Sequence, residues 1–169
     1  AHPDAKEMRP ADLNRAIEST LTIARNEYKY VADVVTSYGE LPLLTCHVGD
    51  INQAVLNIVV NAAHAIGDVV KDTQARGRIS VSTRHESEHV AIEISDTGGG
   101  IPPAIQSRIF DPFFTTKAVG RGTGQGLAIA RSVVVDKHGG ELSFETHAGV
   151  GTTFVIRLPI HGKEHPPGA

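Results

Sequence analysis

Two asparagines lie four residues apart in an apolar run that predicts a helix over 51–66. At this spacing Asn57 and Asn61 share one face of the helix. Asparagine is a poor helix former, and its amide is costly to bury without a partner. Either both amides bond to neighbouring loops, or one amide oxygen faces a cleft and binds a hard cation such as Mg²⁺. His64 follows on the same side, as either a partly exposed polar group or a donor to a phosphate.

A carboxylate and three glycines end the next predicted strand, in the stretch SDTGGGIP at 95–102. Asp96 is either a turn residue or an acceptor that points into a pocket and takes a hydrogen bond from an exocyclic amine. Gly98 and Gly100 would let the backbone approach a flat ring, because glycine has no Cβ. Ile101 would add an apolar wall. Alone, this motif is more typical of a tight turn.

A second glycine cluster, GRGTGQG at 120–126, leads into another predicted helix. The first N–H groups of a helix lack partners within it and attract anions, which favours a phosphate cradle over a flexible linker. Between the clusters, RIFDPFFTTK at 108–117 holds three phenylalanines. We expect them to anchor this loop and leave Lys117 free to reach a phosphate. The last cluster, GVGTTF at 149–154, is explained by a hairpin alone.

Composition limits the function classes. The chain has 169 residues, 40% hydrophobic and 21% charged, which predicts one globular domain. A net charge of −3 argues against a general nucleic-acid binder. The single cysteine, Cys46, excludes an internal disulfide. We expect no membrane helix, because no apolar run approaches the roughly 20 residues that one needs, and the polar first residues do not resemble a signal peptide.

The elements that must position these residues follow from periodicity and turn signals. They are a helix over 13–26 capped by Asp12, strands at 28–39 and 41–47, the helix at 51–66, a hairpin of 78–87 and 89–95, a short helix at 103–109, a helix at 126–140 and a hairpin over 141–159. This order predicts a two-layer α/β (α+β) sandwich, with a mixed, mostly antiparallel sheet and about three helices on one face. A dinucleotide-binding βαβ fold is disfavoured, since no long helix follows the first glycine cluster.

Together, the order and spacing of these motifs resemble the catalytic, ATP-binding domain of sensor histidine kinases, a GHKL (HATPase_c) domain with the Bergerat fold. The N box corresponds to NIVVN at 57–61 and the first glycine box to DTGGG at 96–100. The phenylalanine box corresponds to FDPFF at 110–114 and the second glycine box to GTGQG at 122–126. The resemblance covers about 12–160. It implies a linker at 1–11 from a missing dimerisation domain, and we expect a disordered tail at 161–169.

The resemblance also implies roles for individual residues. Asp96 would recognise the adenine amino group, Thr152 would close that side of the pocket, often through water, and Asn61 would hold Mg²⁺. The catalytic residues would be Asn57, Asn61 and Lys117. The ATP-binding residues would be Asn61, His64, Asp96, Gly98, Gly100, Ile101, Phe113, Thr116, Lys117, Gly122, Thr123, Gly124, Gln125, Gly126, Leu127 and Thr152. Two residues depart from the family pattern: His64 replaces a common Lys or Arg, and Gln125 replaces an apolar residue.

The reaction implied is transfer of the ATP γ-phosphate to a histidine on a separate dimerisation domain. No histidine of this chain has the expected phosphoacceptor setting, so we predict ATP binding without autophosphorylation. The implied partners are that domain and a response-regulator receiver domain, with no nucleic acid. We expect a monomeric fragment of a homodimeric, cytoplasmic or membrane-anchored parent. The alternatives are a serine kinase of the anti-sigma type and a hydrolytic ATPase on the same fold. Asn57 disfavours hydrolysis, because an amide cannot act as general base.

Overall fold

A computed structural model describes residues 7–114 and 125–162, which form a mixed sheet covered on one face by helices. The strands are β1 (Arg9–Ala11), β2 (Ala32–Tyr38), β3 (Leu44–Cys46), β4 (Gly77–Glu86), β5 (His89–Asp96), β6 (Glu141–His147) and β7 (Gly151–Pro159). Five of them form one sheet in the order β2-β4-β5-β7-β6. Only the β2–β4 pair in that sheet is parallel. The predicted two-layer sandwich with a mostly antiparallel sheet is confirmed.

The helices are α1 (Leu13–Ile23), α2 (Arg25–Tyr28), α3 (Val48–Val70) and α4 (Gly126–Arg131). A short 3₁₀ helix spans Pro103–Arg108, and a π-helical segment, Ser132–Lys137, extends α4. Asp12 caps α1 as predicted, because its carboxylate accepts from the Arg15 N–H. The helix predicted over 51–66 is α3, although the sequence pattern, with Asp50 immediately before it, also favoured a start at Asp50. That helix begins two residues earlier, and Asp50 pairs with Lys137 at 2.6 Å.

The strands predicted at 28–39 and 41–47 are both shorter in the structure, at Ala32–Tyr38 and Leu44–Cys46. The strand expected over 28–39 begins at Ala32, because the chain makes the extra helix α2 before it. Residues 9–11, assigned to a linker, form β1 and pair with β3 in a two-stranded sheet. Tertiary pairing decides both boundaries, since short segments have little structural preference of their own. Within the tail predicted over 161–169, Gly162 is buried beside Met8, and 163–169 lie outside the described residues.

The core lies between α3 and the sheet. Eight residues of α3 are buried: Ile51, Ala54, Val55, Ile58, Val59, Ala62, Ala63 and Ile66. By length and composition α3 could also cross a membrane, contrary to the expectation that no run approaches that size. Its buried face packs on β4 and β5, as expected for the central helix of a globular core.

The phenylalanine-rich stretch is anchored by only part of its aromatic set. Phe110 packs edge-on against Phe144 and Phe154, with ring centroids 6.0 and 6.4 Å apart. Phe114 lies under the Arg108 guanidinium at 4.4 Å. Phe113 is 70% exposed and has a positive φ of 68°. The expectation that all three would anchor the loop is therefore wrong for Phe113.

Candidate functional site

Asp96 is the buried carboxylate at the end of β5, with only 7% of its surface exposed. Its Oδ1 accepts from two backbone N–H groups, those of Gly98 at 2.8 Å and Thr152 at 3.3 Å. Burial raises the pKa of Asp96 above its ordinary value, and the two backbone bonds oppose that rise. In the part of the chain that the structure describes, both hydrogen bonds to this carboxylate use Oδ1. The second oxygen, Oδ2, is therefore left to accept from a ligand.

The glycines after Asp96 are explained by contacts within the protein. A Cβ on Gly98 would lie 2.7 Å from the Ala65 Cβ, so this glycine lets the loop pack directly on α3. Gly100 has φ +84°, and a Cβ there would lie 2.7 Å from the backbone oxygen of His147. Close approach between protein segments thus accounts for both glycines. Their approach to a flat ring stays a prediction.

A threonine pair connects this loop to the hairpin of β6 and β7. Thr146 and Thr152 are directly opposite each other, with their hydroxyl oxygens 2.9 Å apart. The Ile101 N–H donates to the Thr146 hydroxyl at 2.8 Å. The structure therefore brings Asp96, Ile101 and Thr152 together, as the sequence predicted, and adds Thr146. Strand alternation could have found Thr146, because it places this side chain on the same face as Thr152.

Asn57 links α3 to the start of α4. Its Nδ2 donates to the backbone oxygen of Gly126 at 3.1 Å, and its Oδ1 accepts from Gln53 Nε2 at 2.8 Å. Both ends of the amide thus form hydrogen bonds within the protein. Of the two alternatives that the sequence left open, bonding to neighbouring segments is the one that Asn57 shows. Asn61 and His64 lie one and two turns further along α3, and both are half-buried. The roles of Asn61 and His64 toward a metal or a phosphate stay predictions.

The described part of the second glycine box begins at Gln125, which immediately precedes α4 and whose backbone oxygen accepts from the Ile129 N–H. Leu127 is half-buried and packs against the core. Five predicted ATP-binding residues lie outside the described residues, and their roles stay predictions: Thr116, Lys117, Gly122, Thr123 and Gly124.

A metal site made only of acidic, histidine or cysteine side chains is absent from the described residues. Residues 7–114 and 125–162 contain no group of three His, Cys, Asp or Glu side chains that could hold a metal ion. Mg²⁺ commonly keeps several waters and binds one or two protein ligands together with substrate phosphates. The Asn61 amide oxygen, on the half-buried face of α3, fits that kind of shared site.

Sequence comparison identifies a family that spans most of the chain. The profile described as histidine kinase-, DNA gyrase B- and HSP90-like ATPase matches residues 47–162. The histidine-protein kinase AtoS of Escherichia coli is 34% identical over 164 residues, which are 95% of this chain and 25% of AtoS. The sensor histidine kinase ZraS of the same organism is 32% identical over 91% of this chain and 31% of its own length. The chain thus spans a quarter to a third of these relatives.

Solved structures are similar over nearly the whole chain. The catalytic domain of the histidine kinase ThkA superimposes with a TM-score of 0.77 and 27% identity, covering 92% of this chain and 97% of its own. The mycobacterial sensor histidine kinase MprB superimposes with a TM-score of 0.74 and 27% identity, covering 94% and 99%. Because 92% and 94% of the chain are covered, the structural likeness extends beyond residues 47–162, which the family profile matches.

Proposed function

The chain belongs to the family of histidine kinase-, DNA gyrase B- and HSP90-like ATPases, and we propose that it is the ATP-binding catalytic domain of a sensor histidine kinase. In the proposed reaction, an imidazole nitrogen of a histidine on a separate helical domain attacks the γ-phosphorus of ATP. The bond between that phosphorus and the β–γ bridging oxygen breaks, and ADP leaves. A response-regulator receiver domain would then accept the phosphoryl group. The proposed reaction takes place in the cytoplasm, where ATP is available.

The observation that carries this proposal is the state of the Asp96 carboxylate. One oxygen is occupied by two backbone N–H groups, which fix the side chain in a single orientation. The other oxygen has no hydrogen-bond partner among the described residues, and the Thr152 backbone N–H holds the neighbouring strand beside the carboxylate. An amino group on a ring is the donor that such a fixed acceptor suits, and a charged acceptor strengthens the bond. Adenine carries this amino group, so the Asp96 carboxylate suits the base of ATP.

The phosphates would lie toward α3 and the start of α4. Asn61 would bind Mg²⁺, which bridges phosphate oxygens and neutralises the charge that develops during transfer. Lys117 and the backbone of 122–126 would contact the phosphates, and His64 would add a donor when protonated. Phosphoryl transfer depends mainly on positioning and charge neutralisation, so these contacts would suffice without a protein nucleophile.

Asn57 favours transfer to an acceptor over hydrolysis of ATP. A water nucleophile needs a general base, whereas an imidazole nitrogen does not. Asn57 is an amide, and both of its ends are engaged by Gln53 and Gly126. The relatives AtoS and ZraS are histidine kinases, which agrees with this chemistry. The hydrolytic ATPase and the serine kinase are accordingly disfavoured.

The test separates these reactions in one labelling experiment. The chain is incubated with Mg²⁺ and γ-labelled ATP, alone and with a histidine-kinase phosphoacceptor domain added as a separate chain. We expect no label on the chain itself, slow phosphate release, and label on the acceptor that is lost in acid and stable in alkali. Acid-stable label on the acceptor would favour the serine kinase, and fast phosphate release without acceptor would favour the ATPase. Absence of ATP binding by calorimetry would refute the proposal.

A further inference from the structure

Thr146 lies in a row of polar side chains at the end of the sheet. Register pairs Thr146 of β6 with Thr152 of β7, and Ser95 of β5 with Thr153 of β7. One step further along, Asp96 comes opposite Thr152. Residues opposite each other on neighbouring strands share one face, so Thr146, Thr152 and Asp96 form a continuous row on the side that packs against the helices. Thr146 is thus one strand removed from the carboxylate.

The hydrogen bonds of Thr146 restrict where its single hydroxyl hydrogen can go. Its oxygen already accepts from the Ile101 N–H at 2.8 Å. Two acceptors are in reach of its hydrogen, the Thr152 hydroxyl oxygen at 2.9 Å and the Gly151 backbone oxygen at 3.4 Å. Hydrogen bonds between oxygens are about 2.5–3.0 Å long, so the contact with Gly151 is a poor one. The Thr152 hydroxyl oxygen is therefore the better-placed acceptor for the Thr146 hydrogen.

This direction determines what the Thr152 hydroxyl offers to a ligand. Thr152 accepts from Thr146 and keeps its own hydrogen for another acceptor. Within the described residues, Thr146 is the only hydrogen-bond partner of the Thr152 hydroxyl. Thr152 is also held beside the carboxylate, because its backbone N–H donates to Asp96. The Thr152 hydroxyl thus lies on the neighbouring strand, on the same face of the sheet as the Asp96 carboxylate.

We propose that Thr146 is a positioning residue for base recognition, which directs the Thr152 hydroxyl to act as a donor toward the ring nitrogen N1. The site then offers an acceptor, Asp96 Oδ2, beside a donor, Thr152 Oγ1. Adenine presents the complementary pair, an amino group at C6 and an unprotonated N1. Hypoxanthine and guanine present the reverse pair, a carbonyl at C6 and a protonated N1. The contact to N1 is direct or passes through one water. This inference rests on the proposed ATP-binding function.

Thr146 also has a purely structural role, because it satisfies the Ile101 N–H. A loss of affinity on mutation would therefore not distinguish the two roles. A nucleotide that lacks the N1 acceptor does distinguish them. In 1-deaza-ATP a C–H replaces N1 while the amino group remains. Damage to the fold weakens both nucleotides equally, whereas loss of the directed donor weakens only ATP.

The test is calorimetric titration of ATP and 1-deaza-ATP, each with Mg²⁺, into the wild-type chain and into Thr146→Val and Thr146→Ser. We expect the wild type to bind ATP about three- to tenfold more tightly than 1-deaza-ATP, as for one neutral hydrogen bond. In Thr146→Val this preference should fall below about twofold, because the hydroxyl that fixes the direction is absent. Thr146→Ser should retain it. Valine matches threonine in shape and suits a strand.

A second variant keeps the inference testable if Thr146→Val fails to fold. Thr152→Val removes the donor itself, leaves the bond between Ile101 and Thr146 intact, and should also abolish the preference for ATP. Retention of the wild-type preference in either valine variant would overturn the proposal. Equal binding of both nucleotides by the wild type would overturn it and leave the proposed function standing. Binding of neither nucleotide by the wild type would refute the proposed function, and this inference with it.

Discussion

Replacing Asp96 by asparagine separates recognition of the base from support of the fold. The new side chain would have nearly the same shape, and its amide oxygen can still accept from the N–H groups of Gly98 and Thr152. Those two donors fix the orientation of the amide, so its NH₂ group takes the place of Oδ2. The adenine amino group would then meet a donor instead of a charged acceptor. Asp96→Ala is less informative, because it leaves two N–H groups unpaired.

The expected effect of Asp96→Asn on affinity is large enough to measure easily. A hydrogen bond to a charged group contributes about 1.5–3 kcal/mol, which corresponds to roughly ten- to 150-fold in Kd. Inosine triphosphate should show the opposite change, because its C6 carbonyl would gain a donor from the introduced amide. The variant should therefore lose the preference for ATP over inosine triphosphate, or reverse it.

Asp96→Asn should weaken ATP binding, but it should not lower the free energy of unfolding. Burial holds the pKa of Asp96 above its ordinary value of 3.8, so the ionised carboxylate lowers the free energy of unfolding at pH 7. That penalty develops as pH rises from 3.8 through the folded-state pKa, and it is absent at lower pH. Asp96→Asn should therefore be at least as stable as the wild type at pH 7, and the difference should disappear below about pH 4.

The assay is calorimetric titration of both nucleotides, with thermal unfolding measured between about pH 4 and pH 8. Asp33→Asn is the matched control, because Asp33 is exposed and its carboxylate pairs with Arg76 on the far edge of the sheet. It should leave both affinities unchanged. Unchanged ATP affinity and an unchanged preference over inosine triphosphate in Asp96→Asn would refute the assignment of Asp96 to the base.

Three further predictions concern the fold around the site. Gly151→Ala should lower the free energy of unfolding by more than about 3 kcal/mol. Gly151 has φ +147°, and a Cβ there would overlap the backbone oxygen of Asp96. Gly149→Ala should lower the free energy of unfolding by only about 1–2 kcal/mol. Its φ is +75°, but no atom lies near the position of an added Cβ. Urea denaturation of the two variants would measure the difference. His138 is buried with its pKa lowered, mainly by burial, and Nε2 accepts from a backbone N–H. Protonation of His138 would break that bond, so the free energy of unfolding should fall as pH drops below about 6.5. His138→Gln should weaken this pH dependence. Equal pH dependence in the wild type and the variant would contradict the argument. Phe110 is partly buried against the core, so Phe110→Ala should lower the free energy of unfolding by less than the roughly 3–5 kcal/mol of a fully buried phenylalanine. Exposed Phe113→Ala should change thermal stability little. Equal losses of thermal stability in the two variants would contradict this difference.

Much of the fold could be predicted because its signals are local. Apolar periodicity identified α3, alternation and turn residues identified the two hairpins, and Asp12 marked the start of α1. The order of the N box and the glycine boxes indicated the family, since motif order is a property of the sequence alone. These features depend on residues close together in the chain, where spacing translates directly into geometry.

The tertiary structure decided the features that depend on distant segments. β1 exists because residues 9–11 pair with β3, and β2 begins late because the chain first forms α2. Asn57 proved to be a link to α4, because its amide partners come from both its own helix and a segment 69 residues away.

The site shows the same division. The motif order in the sequence predicts which residues would bind a nucleotide, namely Asp96, the glycines after it and Thr152, and that role stays a prediction. Only the tertiary structure decided that Gly98 packs on Ala65, and that Thr146 bonds to both Ile101 and Thr152. The physical reason is that a short side chain can bond only what the backbone brings within about 3 Å. Strand register and loop closure set that distance, and both depend on the packing of the whole domain.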